Sequence, residues 1–148
     1  MAIDPMNVWA SMTTKTWPER YWMADLDVRH LSLVGELLAA NSQSYCCILR
    51  DEAGLTAIVD EATFQQHEMS EISRQAIGPF KMISTEGELP FDVVGFLQPL
   101  LLELNRAGVK AGPQCAVHAD HLFIYERDVA RANEIISQFI ARAEHHPS

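Results

Sequence analysis

Gly78-Pro79 divides this chain into two stretches with the same order of predicted elements, and that repetition constrains the fold more than any single motif. Before the pair, Tyr21–Leu26 (YWMADL) reads as a strand, with Trp17-Pro18 as its entry turn. Leu31–Ala40 (LSLVGELLAA) has helical composition, weakened by Gly35. Tyr45–Leu49 (YCCIL) is a short apolar run suited to a buried strand. The polar turn Arg50–Gly54 then leads into Leu55–Val59 (LTAIV), the return strand of a hairpin. A helical or irregular link covers residues 60–77.

After the pair, Phe80–Ser84 (FKMIS) is a strand, Phe91–Ala107 a long helix, and Val109–Val117 and His121–Tyr125 two more strands. Gly112-Pro113 marks Val109–Val117 as an edge or bulged strand. Asp128–Ala143 closes the pattern as an amphipathic helix with Asp128 as its N-cap. Its apolar residues Val129, Ala132, Ile135, Ile136, Phe139, Ile140 and Ala143 recur at three- and four-residue steps. Two β-α-β-β units predict an α+β protein of tandem ferredoxin-like type, with antiparallel sheets and helices packed on one face. Neither half alone would bury a generous core, so the two are expected to share one body. The units are placed at residues 17–78 and 79–144, and residues 1–16, beginning MAIDPM, are set apart as a leader of vector-derived type.

Composition narrows the function classes. A formal net charge of −9 and the absence of a basic stripe exclude nucleic acid as the expected partner. No apolar run reaches the length a membrane span needs, and no signal peptide precedes the first strand, so a cytoplasmic location is expected. Cys46, Cys47 and Cys115 have no CxxC spacing and read as small thiols in a reducing cytosol.

Two regions invite a ligand. In the predicted helix from Phe91, Pro99 removes a backbone donor and would clash with the carbonyl of Gly95, so a kink is expected there. The turn Gly87–Asp92 feeds a helix start, where free N–H groups favour an anion. This helix is apolar around much of its circumference, which predicts cover on more than one side and a homodimer. The second region is Cys115–Ile124 (CAVHADHLFI), where His118, Asp120 and His121 lie between apolar runs.

Taken together, DEAGLTAIV (51–59), FKMISTEGELPFDVVGFLQPLLLELNRAGV (80–109) and HADHLFI (118–124) resemble ACT-domain proteins. More narrowly the chain looks like a CASTOR-like family of small bacterial and fungal tandem-ACT proteins. Gly95, Pro99-Leu100, Ala107-Gly108-Val109 and Asp120-His121 fall on that family's pattern in order. The resemblance spans about residues 21–140 and implies a non-catalytic regulatory protein, with no cofactor, that binds an amino acid or related metabolite between ACT units or subunits. It implies Phe91, Asp92, Val93 and Val94 as the carboxylate side of the site, with Val117, His118 and Asp120 opposite. Asp120 matches the family's ligand-contacting aspartate and is expected to face a ligand ammonium.

The same residues support other readings. Asp120 can cap its own hairpin turn, His118 can be an exposed turn residue, and His121 is expected to be structural. A metal site would need a third and fourth ligand that the sequence does not supply. A recruited enzyme would use His118 and Asp120 as acid and base, without an accompanying nucleophile or cofactor motif. A protein-interaction scaffold without ligand is the third class.

Overall fold

A computed structural model describes residues 2–146, which form two compact units: residues 17–82, and the described residues of 1–16 together with those of 83–148. The chain opens with a short helix α1 (Pro5–Trp9) and a strand β1 (Thr13–Thr16). The N-terminal unit follows with β2 (Tyr21–Leu26), a 3-10 helix (Val28–Leu33) running into α2 (Val34–Ala40), and the hairpin β3 (Cys47–Asp51) and β4 (Gly54–Asp60). Helices α3 (Glu61–Gln66) and α4 (Met69–Ile72) lead to β5 (Gln75–Glu86). The C-terminal unit continues with α5 (Gln98–Arg106), β6 (Ala111–Cys115), β7 (Asp120–Tyr125), a 3-10 turn (Glu126–Asp128) and α6 (Val129–Glu144).

In the N-terminal unit the strands run in the order β3-β4-β2-β5, with β3-β4, β4-β2 and β2-β5 all antiparallel. Helices cover one face over a core of Ala24, Leu26, Leu37, Leu55, Ala57, Val59, Phe64 and Met69. The C-terminal unit repeats this layout as β1-β5-β7-β6. Its core joins Trp9 to Ile83, Phe96, Leu100, Leu104, Leu122, Ile124, Ile136 and Phe139. The α+β, antiparallel, helices-on-one-face architecture expected from the repeated element order is the one the chain has.

Four expectations are corrected. The described residues of 1–16 are not a leader outside the fold. Strand β1 pairs antiparallel with the end of β5, Thr13 opposite Glu86 and Thr16 opposite Ile83, and takes in the C-terminal unit the place that the first part of β5 takes in the other. Trp9 is fully buried in that unit's core. Secondly, Gly78-Pro79 does not break the chain, because β5 runs through it. A register shift against β2, between Tyr21 and Met23, takes the pair out of the regular ladder. The Trp22 ring lies so close over Gly78 that a Cβ there would stand 2.9 Å from it. The two units meet in sequence within β5, between Met82 and Ile83.

Thirdly, the helix expected over Phe91–Ala107 begins only at Gln98. Gly95 holds a left-handed φ of 76°, which ends any helical run there. Pro99 falls in the first helical turn, where its missing N–H costs nothing, so no kink forms. Lastly, Asp128 makes no capping hydrogen bond to α6 and lies beside Arg127 instead. The predicted edge strand around Gly112-Pro113 is β6, at the end of its sheet. Gly112 is required there, because the ring of its cross-strand partner Phe123 occupies the space a Cβ would need. No helix among the described residues is long and apolar enough to cross a membrane.

Candidate functional site

A cavity of about 330 Å³ opens in the C-terminal unit, between the irregular segment 87–97 with the start of α5 and the end of the β6–β7 hairpin. One wall consists of Leu89, Pro90, Phe91, Val93, Gly95, Phe96, Leu97 and Gln98, and the other of Cys115, Ala116, Val117 and Asp120. Every lining residue belongs to the C-terminal unit.

Local chemistry shapes both walls. In the first, the Val93 N–H donates to the Pro90 carbonyl at 3.2 Å, closing a turn, and Gly95 reverses the chain. Phe96 is then driven inward. It stacks on the Trp9 indole with ring centroids 4.3 Å apart, and the Trp9 Nε1–H donates to the Phe96 carbonyl at 2.7 Å. Helix α5 starts behind this wall without a side-chain cap. Leu97, in the cap position, has αR backbone angles, whereas a capping residue needs an extended conformation. The first-turn N–H groups of a helix have no partner within the helix.

In the second wall, the Ala116 N–H donates to the Ala119 carbonyl at 3.0 Å and closes the hairpin turn, with Cys115 directly opposite Asp120. Strand β7 alternates: Asp120, Leu122 and Ile124 are buried, while His121, Phe123 and Tyr125 are partly exposed on its other face. The Asp120 backbone is held by Thr85, whose Oγ1 accepts the Asp120 N–H at 3.0 Å. Asp120 is 7% exposed and, among the described residues, is the only charged one lining the cavity. Burial first, and then hydrogen bonding to and charge from the Asp120 carboxylate opposite, push the Cys115 thiol pKa up.

Of the residues assigned from the sequence, the structure brings Phe91, Val93, Val117 and Asp120 to the cavity. Asp92, Val94 and His118 are exposed and do not line it. His121 points to the other face of the sheet, where its Nδ1 lies 2.5 Å from the Ser84 Oγ. Burial lowers its pKa, against a smaller opposing effect from the Asp120 charge. Among the described residues, no group of three or more His, Cys, Asp or Glu side chains is placed to hold a metal ion. Sequence reasoning missed Leu89, Pro90, Gly95, Phe96, Leu97, Gln98, Cys115 and Ala116. The available signal was Gly95 ahead of Pro99, which marks a late helix start as readily as a kink.

No family model matches the chain, and no curated protein matches it. Solved structures do. A protein of unknown function from Vibrio cholerae is 19% identical with a TM-score of 0.69, over 91% of this chain and 94% of that one. The ligand-free regulatory subunit of aspartate kinase from Thermus thermophilus is 12% identical with a TM-score of 0.64, over 87% of this chain and 97% of that one. The same subunit from Thermus flavus is 12% identical with a TM-score of 0.60, over 87% and 98%. At these identities the likeness establishes the fold, and the fold is ACT-like, built from tandem ferredoxin-like units.

Proposed function

We propose that this chain is a small-molecule-binding regulatory protein, and that the cavity of its C-terminal unit holds an amino acid or a related metabolite. The observation that carries the reading is one buried carboxylate, Asp120, in an otherwise uncharged and largely apolar cavity whose far wall ends in an uncapped helix start. A cationic ammonium next to Asp120 gains a charge-assisted hydrogen bond away from water. A carboxylate meets the free N–H groups and positive end of α5 near Leu97 and Gln98, a few residues beyond the expected Phe91–Val94. The apolar lining suits an uncharged side chain. Acidic ligands are disfavoured, because among the described residues no lysine or arginine lines the cavity to offset Asp120. The regulatory subunits of aspartate kinase share this fold and support a regulatory role.

Self-association belongs to the same reading. Phe91 and Val117 on the cavity wall are 79% and 62% exposed, and neighbouring Val94 is 84% exposed, surface that a second copy would cover. A clean monomer mass by light scattering at tens of micromolar overturns the homodimer. The ligand is tested by a thermal-shift panel of the standard amino acids. A ligand at about 100 times its Kd stabilises the fold by about 2.7 kcal/mol. Uncharged apolar amino acids are expected to raise Tm and aspartate and glutamate to leave it unchanged. A panel flat throughout overturns the reading.

A further inference from the structure

We infer that Trp9 is the positioning residue of this cavity: through its hydrogen bond and stacking it holds Phe96, and with Phe96 the whole wall between Leu89 and Gln98. The inference rests on the proposed ligand site for its functional meaning, but its geometry stands alone. The segment 87–97 is irregular, so it lacks the ladder or helical hydrogen bonds that would fix its path. Leu89, Val93 and Leu97 pack on the core, and Phe96 is pinned by a residue eighty-seven positions away in sequence. The Trp9 indole donates to the Phe96 carbonyl at 2.7 Å and lies parallel to the Phe96 ring, at 7° and 4.3 Å. Trp9 is itself held edge-on by Phe139 of α6 and is fully buried.

A buried indole N–H needs an acceptor in any case, so what bears on the cavity is which acceptor Trp9 has. Here it is the carbonyl of a cavity-lining residue directly before the uncapped start of α5. The N-terminal segment therefore contributes more than a strand. Trp9 sets where Phe96 stands, and Phe96 sets the width of the cavity and the position of the free N–H groups beside it.

Hydrogen exchange on the full-length protein tests this with Trp9→Phe, which retains an aromatic stack and removes the donor. The Val93 amide, bonded to Pro90, and the Leu101 amide, bonded to Leu97, report on the wall. The Val109 amide, bonded to Leu104 past the far end of α5, reports on the unit's core. The expected result is exchange about tenfold faster at Val93 and Leu101 with Val109 nearly unchanged. A common factor at all three, the pattern expected of Phe139→Leu, makes Trp9 a packing residue and overturns the inference. A second measurement uses the wild type: the Trp9 indole N–H should exchange as slowly as the Leu101 amide, and free exchange of that proton also overturns it. With L-leucine as the probe, Trp9→Phe should weaken binding about fivefold by calorimetry. Equal affinity of the two proteins refutes the link between Trp9 and binding. If L-leucine and the rest of the panel fail to bind the wild type, the ligand reading falls, and the exchange comparison still decides whether Trp9 holds the wall.

Discussion

The two units answer the same structural problem, how to leave the first strand and begin a helix, in opposite ways. In the N-terminal unit Asp27 follows β2 directly, with extended backbone angles, and its carboxylate accepts the Arg29 N–H at 2.9 Å. That start satisfies itself. In the C-terminal unit residues 87–97 separate β5 from α5, and Leu97 in the cap position can offer no side-chain acceptor. The second start has no side-chain cap and lies beside a cavity, and the difference teaches that the two copies of the repeat treat the same junction in different ways, one closed by its own side chain and one left open at a pocket.

The largest effects should come from paired core truncations. Leu37 of α2 and Leu100 of α5 are 2% and 1% exposed, so Leu37→Ala and Leu100→Ala should each cost about 2–5 kcal/mol in urea unfolding. Only Leu100→Ala, which loosens the first turn of α5 beside the cavity, should also weaken the amino acid that stabilises the wild type. An equal loss of affinity in Leu37→Ala would break the division of roles.

Next in size is the charge in the cavity. Asp120→Asn keeps the shape and the Thr85 contacts to the backbone but removes the negative charge. Binding of an ammonium-bearing ligand should weaken by about 1.5–3 kcal/mol, read by calorimetry, with a smaller change in Tm. Unchanged affinity would make Asp120 a structural residue of the hairpin.

Much of this was legible in the sequence, for physical reasons that differ from element to element. Strand β2 was found with its boundaries intact because Tyr21 and Trp22 open a mostly apolar run directly behind a Trp-Pro turn. Helix α6 was found because its apolar period is unbroken over four turns. Asp120 was reached through the family resemblance. Strand β1 was hidden, since TTKT is polar and mostly exposed and its partner lies far along the chain at Ile83–Glu86. The cavity wall was hidden for the opposite reason. The run VVGFL is apolar at helix-like spacing, yet Phe96 serves a loop that packs on Trp9 and Val94 is exposed. Local pattern cannot separate a loop pinned from afar from a buried helix. That separation needed Trp9, which lies in a segment set outside the fold.

A smaller effect distinguishes the two faces of β7. Burial lowers the His121 pKa below its ordinary 6.5, so the folded state favours the neutral ring. Between the lowered value and 6.5 the unfolded chain binds more protons. The stabilisation is therefore complete above about 6.5 and is lost as pH falls through that window. In thermal melts from pH 7 to pH 5, His121→Gln should lose less Tm on acidification than the wild type. Matching slopes would show that burial of this ring, on the face away from the cavity, does not couple to stability.

The smallest expected effect closes the comparison at the self-satisfied helix start. Asp27 is only partly covered, and the Arg29 N–H that it accepts, more than the nearby charges of Arg29 and Arg74, holds its carboxyl below the usual aspartate value of 3.8. A depressed carboxyl contributes stability above its unfolded pKa, and that contribution is lost as pH falls from about 3.8 through the lowered value. Asp27→Asn keeps the capping acceptor and removes the titration, so it should change neutral-pH stability little and flatten the acid limb of the Tm profile. Asp27→Ala removes both and should lower Tm slightly at neutral pH as well. Neither should alter the affinity of the cavity for an amino acid, because its walls are built from other elements. If Asp27→Ala weakened binding as much as Asp120→Asn, the closed start and the open start would have to be read as one coupled device, and the contrast between the two units would fail.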